Sequence, residues 1–276
     1  MTDGDAGTVD LLRRAKEYPY DIPESCYALA CGDVLPLVRV DLGSALDCEV
    51  HDAGTVSKLR SWAEGRGIGI GRIDGPELLL AYGSNASVGT LSRKLADCLH
   101  ASLVPVARAI LADFEVVYSA HLSPYGAIPA TLQYSPGACT TAYLLVVTPA
   151  QCRVLRQTEP NYYFAKLDAV ELCLELGPTL SSVSAVISRH GAMMIDGTEV
   201  GVAAVPTLHR RFPPLTEAEV LEAVRDLVAP GVDLDDFILE NVRDRRMALR
   251  RTEELKRTAR QFAYRDWRIV DPETSR

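Results

Sequence analysis

The spacing of apolar and polar residues changes several times along the chain. Residues 77–82 are almost continuously apolar, as expected of a strand buried on both faces. Gly83-Ser84-Asn85 breaks that run as a tight turn. Val88, Leu91, Leu95 and Leu99 then recur at helical spacing and predict a helix over residues 88–100. Strand-like runs follow over 104–117, around Ala112-Asp113, and over 127–133 and 140–147. Thr148-Pro149 opens a helix to about residue 157, with Thr148 as cap and Pro149 at its first position. Residues 162–175 and 183–187 read as strands. So do 192–195 and 199–205, joined by the hairpin signal Asp196-Gly197. Thr216-Glu217-Ala218-Glu219 is a capping box for a helix ending near Val228, and a second helix is expected from Asp233 to about Phe262.

The segment upstream of residue 77 is less regular. A short helix over 9–17 is stopped by Pro19 and Pro23, and 35–40 reads as a strand. Residues 55–64 read as a helix capped by Thr55 and stopped by Gly65. Gly65, Gly67, Gly69 and Gly71 alternate, but no register gives a dinucleotide-binding spacing, so a linker ending at Asp74-Gly75-Pro76 is the reading. Three parts result: an extension (1–76), a mixed α+β centre with an added hairpin (77–210) and a helical C-terminal region (211–276).

A chain of 276 residues has room for one large domain or two small ones. Apolar residues at 47% and charged residues at 24% suit a packed core and argue against disorder. No apolar run approaches the ~20 residues of a membrane span. Residues 1–8 are polar and acidic, unlike a secretory leader. Seven cysteines, an odd number without any C-x-x-C, point to reduced thiols in a cytoplasm rather than to disulfides or a zinc ribbon. The five histidines are scattered, which argues against a metal site local in sequence. The net charge of −8 disfavours nucleic acid. Residues 243–268 depart from it, with ten Lys or Arg against four acids. That stretch reads most simply as a solvated helix face with ion pairs such as Glu240–Arg243 or Glu253 with Lys256 or Arg257; binding to nucleic acid is the weaker alternative.

Two places could carry chemistry. At Tyr82-Gly83-Ser84-Asn85 a buried strand runs into a turn before a helix, where free backbone N–H groups and the helix dipole suit a carboxylate or phosphate. The simpler alternative is that Ser84 or Asn85 caps the helix. Glu159 lies between a helix and a strand, just before Pro160, with Tyr162 and Tyr163 close behind. Walled off from water, such a carboxylate becomes a better base; left in solvent, it does nothing.

Together these segments resemble the gamma-glutamylcyclotransferase-like (AIG2-like) family. Its hallmark strand running into Tyr-Gly-Ser-Asn is matched by Tyr82-Gly83-Ser84-Asn85. Ala112-Asp113-Phe114, the Ser-Pro-Gly at 135–137, the strand before Thr148-Pro149 and the series Leu155, Glu159, Tyr163 follow in the family's order. The similarity covers roughly residues 77–175. Pro160 stands where the family has Gly, Ala86 where it has Met, and Thr140-Thr141-Ala142 where many members place a Gly. The resemblance implies a small mixed β-barrel with flanking helices. It also implies release of an amine and 5-oxoproline from a small γ-glutamyl-type amide, without metal or cofactor. Glu159 is then the base, Tyr82, Gly83, Ser84 and Asn85 form the carboxylate-binding loop, and Tyr163 lines the site. The competing expectation is a catalytically silent module that binds a small carboxylate or a protein, with the C-terminal helices serving self-association.

Overall fold

The computed structural model describes residues 3–68, 70, 75–96 and 103–270, and only the backbone course of residues 3–6. Helix α1 (Asp3–Lys16) leads into four short strands, β1 (Tyr27–Ala30), β2 (Asp33–Arg39), β3 (Glu49–Asp52) and β4 (Thr55–Lys58), and a short helix α2 (Leu59–Glu64). Next come β5 (Glu77–Ala81), α3 (Val88–Leu95), β6 (Leu103–Tyr118), β7 (Ala130–Val147), α4 (Pro149–Gln157), β8 (Tyr162–Leu174) and β9 (Thr179–Ser188). Helices α5 (Glu217–Val228), α6 (Leu234–Arg243) and α7 (Arg245–Lys256) follow.

The strands run in the order β7-β5-β9-β8-β6, and β6 pairs back onto β7, which closes a five-stranded barrel. The β5–β9 pairing is parallel and the other barrel pairings are antiparallel, so the sheet is mixed. This is the α+β barrel with flanking helices that the resemblance implied. The ring of five strands closes, and its interior is filled by side chains such as Ala107, Leu144, Ala165, Leu167, Val183 and Ala185, all buried. Each buried Val or Leu is worth ~1.5–3 kcal/mol. Outside the barrel, β1 adds to β6, and β2, β3 and β4 continue the sheet, so the first part of the chain is packed onto the barrel. Tyr27 of β1 fastens it further, donating from its hydroxyl to the Ala86 carbonyl at 2.6 Å.

Several predicted elements change shape in the fold. The strands expected over 127–133 and 140–147 are one strand, β7. Its Ser135-Pro136-Gly137 stretch bulges beside β6, where the register shifts between Ala112 and Phe114. Asp113 has φ 65° there, Gly137 has φ 88°, and the Asp113 carboxylate accepts the Gly137 N–H at 2.7 Å. Thr55 does not cap a helix. Residues 55–58 pair with β3, and the helix begins only at Leu59, because the exposed strand edge offers these residues a ladder of backbone partners. The long helix expected over 233–262 is two helices. Asp244 stands between them and accepts the N–H groups of Arg246 and Met247, so the second helix has its own cap. Beyond it, Trp267–Ile269 pairs with β8 as a strand that no periodicity announced. The residues at the end of the predicted 88–100 helix, from 97 on, lie outside the described residues. Among the described residues no helix is long and apolar enough to cross a membrane.

The basic segment is partly structural. Arg251, buried between α6 and α7, donates to Asn241 at 2.6 Å and to Glu240 at 2.7 Å. Glu240 thus pairs across the helix junction rather than with Arg243, while Glu253 does meet Lys256, at 3.8 Å.

Candidate functional site

β5 ends at Ala81, and the chain passes through Tyr82 and Gly83 into a single 3-10 turn at Ser84–Ala86. Ser87, not Ser84 or Asn85, caps α3, accepting the Thr90 N–H at 3.2 Å. That leaves Asn85 free to face elsewhere. On the other side of the site, α4 stops at Thr158, and residues 159–162 form a turn in which the Tyr162 N–H donates to the Glu159 carbonyl at 3.1 Å. Pro160 occupies the second position of that turn, where its fixed φ is favoured, which explains how a proline is accommodated directly after Glu159.

The two turns meet. Asn85 Nδ2 donates to Glu159 Oε1 at 3.0 Å. Lys94, in the last turn of α3, donates from Nζ to the same oxygen at 2.6 Å and to Asn85 Oδ1 at 2.7 Å. The Lys94 and Glu159 side chains are only 13% and 17% exposed, so this pair is well shielded from water. The second carboxylate oxygen, Oε2, has no partner among the described residues.

Tyr82, Gly83, Ser84, Asn85 and Glu159 all line one cavity of about 490 Å³. Tyr163 is not among the lining residues. Successive residues of β8 point to opposite faces. Tyr162 therefore turns toward the cavity, and Tyr163 packs under the Arg189 guanidinium, 4.5 Å from its ring centre, and near Trp267.

The walls are largely tyrosine. Tyr18, Tyr82, Tyr125 and Tyr162 are held as neutral hydroxyls, since burial pushes each phenol pKa upward. Tyr82 donates to the Val186 carbonyl. Tyr162 donates to the Ala130 carbonyl at 2.8 Å, and Tyr18 accepts the Ala130 N–H, also at 2.8 Å, so the start of β7 is clamped from both sides.

The sequence reading missed several lining residues. Arg14, Tyr18 and Tyr20 come from the N-terminal part, Arg93 and Lys94 from α3, and His121 from the loop after β6. Only the Arg93-Lys94 pair carried a signal: two cations in the last turn of a helix that starts at the Ser84-Asn85 turn. Arg14, Arg93 and Lys94 give the lining an excess of positive over negative charge, Glu159 being the acid among the lining residues. Such a cavity favours an anionic ligand. Among the described residues, no group of three or more His, Cys, Asp or Glu is placed to hold a metal ion.

No protein-family model matches the chain. Nor does any curated protein. Among solved structures, the chain is similar to an Arabidopsis thaliana protein determined in solution, with 15% identity over 43% of this chain and 66% of that chain and a TM-score of 0.33. It is also similar to gamma-glutamyl cyclotransferase, with 14% identity over 61% of this chain and 86% of that chain and a TM-score of 0.33. A third likeness is to an uncharacterized Homo sapiens protein, with 14% identity over 72% of this chain and 95% of that chain and a TM-score of 0.33. Similarity at this level leaves the chemistry to be argued from the residues themselves.

Proposed function

We propose that this protein performs intramolecular aminolysis of a small γ-glutamyl-type amide, releasing an amine and 5-oxoproline, with Glu159 as general base. The supporting observation is the meeting of Glu159 with the Tyr82–Asn85 turn on one cavity wall, 74 residues apart in sequence between Asn85 and Glu159. Asn85 and Lys94 anchor Oε1, so the carboxylate is oriented while Oε2 remains for a substrate amine. In the reaction, Oε2 takes a proton from the substrate's α-amine and the amine nitrogen bonds to the γ-carbonyl carbon. The amide C–N bond then breaks, and the same proton passes to the departing amine. The substrate's α-carboxylate would lie at the Gly83–Asn85 turn, near the charges of Arg93 and Lys94. A positioned base contributes ~10²–10⁴-fold, and folding the γ-glutamyl chain back for ring closure adds an orientational gain. The cavity volume, about 490 Å³, falls among those of small-ligand sites.

The test is to incubate the full chain with a panel of γ-glutamyl amides and quantify 5-oxoproline by mass spectrometry. Glu159→Gln should lower the rate about 100-fold or more. Equal rates in the two proteins remove Glu159 from the role, and a wild-type protein that releases nothing from any member of the panel refutes the reaction. The Lys94 ammonium already seated on Glu159 favours one second reading: a cavity that binds a small carboxylate without turnover. In that case ligand binding persists in Glu159→Gln and neither form produces 5-oxoproline.

A further inference from the structure

The cavity wall carries a polar chain that the reaction above leaves unused. His121 is 2% exposed, lines the cavity, and sits in the loop after β6. Its Nδ1 lies 2.7 Å from Ser119 Oγ, and Ser119 Oγ lies 2.6 Å from Ser188 Oγ. Ser188 Oγ in turn accepts the backbone N–H of His190 at 3.0 Å. Ser119 and Ser188 are buried, at 0% and 4% exposed. The His121 ring stacks on His190, with centroids 4.7 Å apart. Ser188 and His190 thus back the part of the wall that His121 lines, though the sequence suggests only a turn.

Proton placement along this chain follows from counting donors. Ser188 Oγ already accepts the His190 N–H, and Ser119 Oγ is the acceptor within reach of its own hydroxyl proton. A buried hydroxyl proton left without an acceptor costs free energy, so Ser188 donates to Ser119. The Ser119 proton must then go to His121 Nδ1. A neutral imidazole that accepts at Nδ1 carries its hydrogen on Nε2. Nε2 has no partner among the described residues and is not among the fully buried polar atoms left unpaired, so on a ring that lines the cavity it opens into that space.

We infer that His121 presents its Nε2–H to the cavity as a donor for the carbonyl oxygen of a bound acyl group and for the oxyanion that forms on that oxygen during attack. The second half of this assignment rests on the reaction proposed above. Glu159 can move the proton, but it cannot hold the negative charge developing on the γ-carbonyl oxygen; a fixed donor can, and in a site shielded from water such a donor is worth more than in solution. The ring also remains neutral. Burial, and secondly the stacked His190, lower the His121 pKa well below the usual histidine range. Ser119 and Ser188 are positioning residues that fix which nitrogen carries the hydrogen.

The test uses the full chain with ¹⁵N-labelled histidine and 5-oxoproline as the probe, since its lactam oxygen is the former γ-carbonyl oxygen. At neutral pH the His121 signals should show the Nε2–H tautomer, and adding 5-oxoproline should shift the Nε2 resonance. Ser119→Ala should turn the single tautomer into a mixture. With a γ-glutamyl substrate, His121→Phe should lower kcat about 10²–10³-fold with little change in KM, and His121→Gln, which keeps a donor, should recover part of it. An Nδ1–H tautomer or an imidazolium at neutral pH overturns the inference. So does an Nε2 signal indifferent to saturating 5-oxoproline, or a His121→Phe protein with wild-type kcat. If no γ-glutamyl amide is turned over but the tautomer and the probe shift are found, the reaction fails and the donor assignment stands. If turnover occurs but the tautomer is wrong, the reverse holds.

Discussion

Gly83 is a position where the turn, the barrel and the N-terminal part of the chain press on one another. A Cβ there would lie 2.7 Å from the Tyr18 hydroxyl oxygen and 3.4 Å from the Ala130 Cβ. An ordinary carbon–oxygen contact is ~3.3–3.6 Å, so the hydroxyl must retreat by roughly 0.6 Å or more. Tyr18 is 6% exposed, and its hydroxyl accepts the Ala130 N–H at 2.8 Å. A retreat of that size takes the bond beyond useful length. Leaving a buried N–H unpaired costs ~1–3 kcal/mol, and overpacking a buried site costs ~1–3 kcal/mol. The retreat that breaks the bond also relieves part of the overpacking, so the two costs overlap and Gly83→Ala should destabilise the protein by about 2–4 kcal/mol. At ~2–4 °C per kcal/mol for a chain of this size, the midpoint in a thermal melt followed by circular dichroism should fall by about 4–16 °C. Tyr18→Phe removes the obstructing oxygen together with the acceptor for Ala130. The double variant should accordingly be at least ~1 kcal/mol more stable than the two single losses predict when added. A Gly83→Ala melt within about 1 °C of wild type, or strict additivity in the double variant, would refute the claim that Tyr18 is what requires glycine at this turn.

Two further outcomes concern Lys94 on the cavity wall and Glu217 beneath the loop that leads into β7. Lys94→Met removes the ammonium that meets Glu159 at 2.6 Å and Asn85 at 2.7 Å; it should cost about 1–3 kcal/mol in chemical denaturation, and an unchanged midpoint would show the pair to be energetically idle. Glu217 is 4% exposed, and its Oε1 accepts the Ile128 N–H at 2.7 Å while Oε2 has no partner among the described residues. Burial holds its carboxyl well above the usual carboxylate range, against the smaller opposing effect of the Ile128 N–H. A raised folded-state pKa means that the native state keeps a proton the unfolded chain releases. The resulting stability is complete below ~pH 4.3 and is lost as pH rises through the folded value. The stability of wild type relative to Glu217→Gln should thus decline as pH rises above the usual carboxylate range, and a gap that stays constant with rising pH would contradict the burial argument.

Elements governed by neighbours in sequence are legible from the order of residues. The Thr148 cap and the Thr216 capping box form as written, because Gln151 and Glu219 lie three residues on and need no tertiary help; Gln151 completes a box at Thr148 as well. The strand at 77–81 is announced by its apolar run, since a strand covered on both faces has no polar side to show. The barrel fold followed from the family resemblance that the motifs carry. What failed did so where a distant partner decided. Thr55 carried a capping residue's signature, but β3 offered residues 55–58 a ladder. Asp244 is the local exception: inside the expected long helix, its carboxylate accepts the N–H groups two and three residues on and starts a new one. At β7, Ser-Pro-Gly reads as a turn, but the left-handed Asp113 on the neighbouring strand converts it to a bulge.

The sequence by itself specified the local grammar of this protein: most strands and helices from residue 77 to Val228, the Tyr82–Asn85 turn, and Glu159 as an acid set against tyrosine. Tertiary structure alone decided what that acid touches. Lys94 and Asn85 reach Glu159 only because barrel closure lays α3 beside the end of α4. Tyr18 and Arg14 reach the cavity only because β1 pairs onto β6 and brings the N-terminal segment with it. Tyr162 rather than Tyr163 faces the cavity because strand alternation, once fixed by pairing with β9, admits one of two neighbours. Hydrogen bonds and ion pairs act over a few ångströms, and no spacing along the chain encodes separations that small between residues so far apart in sequence.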